Sequence, residues 1–118
     1  MRILLLLASL VSLTACPSAG ESRYHCDFVN ATTGQEDRCQ ERSVDPLIGA
    51  TSEQTFLDTC DVSQGVSGSG PCPTDGIVGG CLYDDNGGLE TVTDWYYAPM
   101  TLADVEAECA GEGTVVQP

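Results

Sequence analysis

The sequence predicts a small disulfide-rich α+β domain in which two antiparallel hairpins are each followed by a short helix. Three observations lead there. Residues 23–118 hold six cysteines, Cys26, Cys39, Cys60, Cys72, Cys81 and Cys109, and six in a short exported chain read as three disulfides. Strand-like segments flank two turn-forming stretches, "ATTGQED" and "DDNGG", as in hairpins. Each hairpin is followed by a segment with helical spacing and a capping residue at its start.

The elements follow in order. In "SRYHCDFVN", Tyr24, Cys26 and Phe28 alternate with His25 and Asp27, the pattern of a half-buried strand. "RCQERSV" returns as its partner after the turn, which sets Cys26 and Cys39 across the hairpin. "TSEQTFLDTC" opens on Thr51 with Gln54 three residues later, resembling a capping box, and places Phe56, Leu57 and Cys60 at helical spacing. "DVSQGVSGSGPCP" is Gly/Ser-rich and reads as a loop or short strand running into a Cys-Pro turn. A similar passage follows: "GIVGGCLY" as a strand, Asn86-Gly87 as a hairpin turn, and "LETVTDWYY" as a strand. Thr101 and Asp104 cap a helix whose Leu102, Val105 and Cys109 share a face, Gly111 ends it, and "TVV" is a last short strand. The two passages echo each other as a degenerate ββα duplication. Local geometry favours the pairings Cys26–Cys39, Cys60–Cys72 and Cys81–Cys109.

Residues 1–15 have the layout of a secretory signal: Arg2, an apolar run from Ile3 to Leu13, then small residues. The run is shorter than the roughly 20 helical residues that cross a bilayer. Its end, Leu13-Thr14-Ala15-Cys16, resembles the lipobox of bacterial lipoproteins. That resemblance implies cleavage before Cys16, a diacylglyceryl group on its sulfur, and an amino terminus acylated with a fatty acid such as palmitate. Two or three such chains make a permanent membrane anchor, because each buried methylene contributes about 0.8 kcal/mol. The odd number of cysteines, 7, is thereby accounted for. Residues 16–22 then form a lipidated tether and 23–118 the globular domain. The resemblance places the chain in a bacterial cell envelope. Pro17, where an inner-membrane retention signal has aspartate, favours the outer membrane.

Charge narrows the partners. The chain has 18 acidic residues against 4 basic ones, and after residue 15 only Arg23, Arg38 and Arg42 are basic side chains. Such a surface repels phosphate backbones, so nucleic acid is not an expected partner. Zinc is not expected either: the chain has no CxxC pair and its only histidine is His25. No cofactor is expected, nor catalytic residues, since His25 on a strand between Tyr24 and Cys26 reads as a solvated histidine.

Two binding candidates remain. Asp84, Asp85, Asn86 and Glu90 on or beside one turn are hard oxygen donors of the kind calcium takes. A solvated hairpin turn is the plainer reading, because Leu89 and Trp95 stand where an EF-hand has glycine and glutamate. In Trp95-Tyr96-Tyr97, Trp95 and Tyr97 share a face as a recognition surface for a glycan or envelope protein, with cross-strand packing the plainer role. Asn30-Ala31-Thr32 matches a glycosylation acceptor, a match without meaning in a bacterial lipoprotein.

The portion "CPTDGIVGGCLY" through "LADVEAECAGEGT" resembles a group of small cysteine-rich bacterial lipoproteins of unknown function. Members carry two adjacent cysteines where this chain has Gly80-Cys81, and a cysteine where it has Trp95. The resemblance implies that both ends of one disulfide are lost together here. The expected role is a lipid-anchored envelope protein with a structural or protein-interaction function, and the alternative is a calcium- or glycan-binding module at the Asp84–Tyr97 hairpin.

Overall fold

The computed structural model describes residues 22–47 and 49–118; the expected signal segment 1–15 and Cys16 lie outside the described residues. The first strand, β1 (Ser22–Val29), buries Tyr24 and Cys26 on one face, as alternation dictates. Asn30 closes the turn by accepting from the Thr32 and Thr33 amides at 2.9 and 3.0 Å, an Asx turn, and β2 (Glu36–Val44) returns antiparallel. Helix α1 (Gly49–Val62) starts two residues before Thr51, so Thr51 lies inside the helix instead of capping it. It presses Phe56 and Cys60 onto Tyr24, Cys26 and Val44, with the Tyr24 and Phe56 rings 4.8 Å apart.

After α1 the chain enters β3 (Val66–Ser69), then β4 (Ile77–Asp85). A turn at Asn86–Gly88, with Gly87 and Gly88 at φ 67° and 87°, leads into β5 (Glu90–Tyr97). Helix α2 (Leu102–Cys109) carries the expected capping box between Thr101 and Asp104, and Gly111, at φ 86°, follows its end. The last strand is β6 (Thr114–Val116).

The assembly corrects the expected fold class. Instead of two hairpins each followed by a helix as ββα units, the chain forms one continuous antiparallel sheet of six strands, ordered β3-β1-β2-β5-β4-β6. The segment after each helix comes back to pair with the first strand of its hairpin: β3 with β1, and β6 with β4. The two hairpins fuse where Arg38–Val44 pairs with Glu90–Tyr96. The physical reason is backbone accounting. Two separate hairpins would leave the inner edges of β2 and β5 with unpaired N–H and C=O groups, and pairing them satisfies both rows at once. The remaining edges are short strands of 4 and 3 residues.

The register also corrects two of the three expected disulfides. Cys26 stands opposite Gln40, and Cys39 stands opposite Asp27. Offset by one residue, the two cysteines point to opposite faces of the sheet. Cys26 therefore bonds Cys60 of α1, and Cys39 bonds Cys72 on the other side. Cys81–Cys109 forms as expected and ties α2 to β4. The pairs Cys26–Gln40, Gln40–Asp94 and Asp94–Cys81 make one cross-strand row. Both helices are thus pinned to one face along a single line, with β2 and β5 between them.

Gly65 shows how tightly α1 is tied down. A Cβ there would run into the Cys26 sulfur and lie 2.9 Å from the Cys60 sulfur and 3.2 Å from the Asp27 carbonyl oxygen. Gly65→Ala is expected to cost about 1–3 kcal/mol as the overpacked bridge shifts. A denaturant midpoint equal to the parent's would contradict this.

Candidate functional site

The residues singled out in the β4–β5 hairpin for calcium or a glycan lie in different settings. Glu90 turns under the sheet and is only 1% exposed, where its Oε1 accepts from Arg42 Nη1 at 2.9 Å and from the Ser52 hydroxyl. Asp84 is exposed and pairs with Thr91, on the face opposite Glu90; the side chains of Asp85 and Asn86 lie outside the described residues. Tyr97 is buried with Cys39 and Cys72, and its hydroxyl donates to the Pro73 carbonyl at 2.6 Å. Trp95 is partly buried beside it, and its indole N–H donates to Glu41 at 3.3 Å. Tyr96 faces the other way, onto Cys81, Val105 and Cys109.

A groove of about 880 Å³ opens instead on the helix-bearing face, between α1 and the centre of the sheet. Its floor is the outward row of β2: Arg38, Gln40 and Arg42, alternate residues that a strand must project to one side. Phe28 and Phe56 supply apolar walls, and Leu47 and Leu89 stand at its end. The two arginines are placed differently. Arg42 lies 5.5 Å from the Phe56 ring and is paired with Glu90. Arg38 lies over Phe28, 4.5 Å from the ring centre, opposite Tyr96 in the register. Between them, Gln40 Nε2 donates to Asp94 Oδ1 at 2.9 Å. Sequence reading passed over these residues as ordinary strand positions. The signal was present: a chain with 18 acids and 4 bases puts two of its arginines on one strand face.

The opposite face carries a carboxyl cluster under the crossing from β3 to β4. Asp27, Cys39 and Cys72 offer ligand atoms within 4.8 Å of one another. The two sulfurs are bonded together, which leaves no thiolate for a metal. His25 accompanies them, with Nδ1 3.0 Å from the Gly70 carbonyl oxygen and Nε2 3.5 Å from Asp27. Glu36 is held above the ordinary carboxylate range by burial first, then by the charge of Asp27 and a hydrogen bond to it, against a small opposing effect of His25. Burial, followed by the charges of Glu36, Asp27 and Glu41, also raises the Tyr97 hydroxyl.

This gives a signed pH effect. The folded chain holds the Glu36 proton more tightly than the unfolded chain, so Glu36 lowers stability as pH rises from the ordinary value of 4.5 through its folded one. Glu36→Gln is expected to exceed the parent in urea midpoint at about pH 7 and to match it near pH 3.5. A gain of equal size at both pH values would show that charge at Glu36 is not the cause.

Gly80 and Trp95 are direct cross-strand partners. A Cβ at Gly80 would lie 2.7 Å from the Trp95 ring, so the indole occupies the space over the glycine and the two residues depend on each other. Compared with known proteins, the chain matches no family model, no curated sequence and no solved structure.

Proposed function

We propose that this chain is a non-catalytic binding module of a bacterial cell envelope, held to its membrane, in preference the outer one, by acyl chains on Cys16. The groove between α1 and β2 is its binding site. The observation that carries the reading is the groove itself: about 880 Å³, within the usual range for ligand sites, with aromatic walls and a few convergent polar groups. The anchor rests on the lipobox pattern Leu13-Thr14-Ala15-Cys16. Among the described residues no helix is long and apolar enough to cross a membrane. The non-catalytic reading is supported by His25, which is held by Gly70 and Asp27 on the face away from the groove.

Two measurements test this. Cys16→Ser is expected to move the protein from the membrane to the soluble fraction with all three disulfides intact. Retention on the membrane, or a free thiol in the folded domain, would remove the anchor. For the groove, a photoreactive phenylalanine analogue at Thr59, which lines it, is expected to form a covalent adduct in the native envelope. The same analogue at Thr114, on β6, is expected to form none. Equal yields at both positions would remove the groove as the site.

A further inference from the structure

We infer that the groove takes a singly charged amphiphile, a carboxylate joined to an apolar body, and that Arg38 is the residue that holds the carboxylate. This deepens the groove reading and rests on it.

Arg23 has Glu41 at 3.6 Å, Arg42 has Glu90 at 2.9 Å, and His25 has Asp27 at 3.5 Å. Arg38 has no carboxylate of the described residues within ion-pair distance and lies instead against the Phe28 ring. In a chain of formal net charge −14, an arginine left without an acid is conspicuous, and this one lines a groove.

Its setting selects the ligand. The Phe28 ring, with its centre 4.5 Å from the guanidinium carbon, holds the group by a cation–π contact that uses none of its N–H donors, which leaves their fork for an acceptor. A planar carboxylate matches that fork with two parallel hydrogen bonds. A phosphate monoester matches it too, but brings nearly two charges towards a groove lined by Glu90, with Asp94 hydrogen-bonded to the Gln40 of its floor. Only one positive charge there is uncommitted, so one negative charge is what the groove neutralises. The lining also offers apolar surface for the body of such a ligand. Phe28 and Phe56 flank the floor, and Leu47, 86% exposed, and Leu89, 40% exposed, stand at the end with large apolar surface in water. A ligand whose carboxylate sits on Arg38 would cover that surface with its body.

The test uses the full lipidated chain, purified in detergent and isotopically labelled, titrated with N-acetylphenylalanine and with its carboxamide. The two probes differ only in the charged group. The acid is expected to shift groove resonances with an affinity at least about tenfold above the amide, the size of one charge-assisted contact. Arg38→Gln is expected to erase that preference, Arg38→Lys to retain part of it, and Arg23→Gln to leave it whole. Equal binding of acid and amide in the groove, or a preference that survives Arg38→Gln in a folded variant, overturns the carboxylate assignment and leaves the groove standing. If neither probe moves groove resonances, the groove reading falls with it.

Discussion

Replacing Cys26 and Cys60 together with alanine is expected to cost about 4 kcal/mol and to release α1 from the sheet. The bridge closes a loop of sequence separation 34, and restricting an unfolded loop of that length is worth about 3.8 kcal/mol in the chain-entropy account. Packing offers α1 little to fall back on. Of the described helix side chains only Phe56 and Cys60 are buried, with Leu57 packed at the margin. A 14-residue helix is marginal on its own in water. Amide exchange in Gly49–Val62 should therefore rise towards that of an unfolded peptide while β4, β5 and α2 stay protected. Exchange that rises uniformly would mean that the bridge holds the whole domain. Exchange that does not rise would mean that the Tyr24–Phe56 contact and the Ser52–Glu90 hydrogen bond suffice.

The second large effect is expected at Arg42. Arg42→Met leaves the Glu90 carboxylate, 1% exposed, without the guanidinium 2.9 Å away. Removing one partner of a buried pair costs about 3–5 kcal/mol. The Arg42 side chain keeps 25% of its exposure and the Ser52 hydroxyl still donates to Glu90, which puts the expected loss near 3 kcal/mol. The decisive comparison is Arg42→Met with Glu90→Leu, which replaces both charges with apolar groups and should recover most of the loss. A double variant no better than the single would assign the cost to lost packing of the arginine stem on Phe56. The pair also shapes the groove, since it neutralises Arg42 and leaves Arg38 as the groove arginine with no carboxylate of the described residues within ion-pair distance.

Local structure was legible where one residue decides it. The alternation of Tyr24, Cys26 and Phe28 marks β1, and Thr101 with Asp104 marks the start of α2, because a period of two and a capping hydroxyl each act within a few residues. The neighbour of β2 was not legible. It presents Arg38, Gln40 and Arg42 to one side and Cys39, Glu41 and Ser43 to the other, so no apolar stripe announces a buried central strand. The disulfides failed on parity: nearness in sequence suggested Cys26–Cys39, while a one-residue offset in register sends the side chains to opposite faces. The calcium reading of Glu90 rests on its place beside a turn, and its side chain pairs with Arg42, 48 positions away in sequence. The groove is likewise non-local, assembled from β1, β2, α1 and two loop leucines.

The order of the bonded cysteines along the chain has a consequence for how the molecule is made. Cys26–Cys60 and Cys39–Cys72 interleave, so neither bridge joins consecutive cysteines. On the envelope reading, a polypeptide translocated amino terminus first exposes Cys26 and Cys39 to the oxidant before either true partner has arrived. An oxidase acting on thiols as they emerge would join those two, and the mistake can be undone only by attack of a third thiolate through a mixed disulfide. Maturation of this chain therefore calls for disulfide isomerisation as well as oxidation, and cells without a thiol isomerase should accumulate it with Cys26 joined to Cys39. The third bridge, Cys81–Cys109, links consecutive cysteines and should form correctly on first contact.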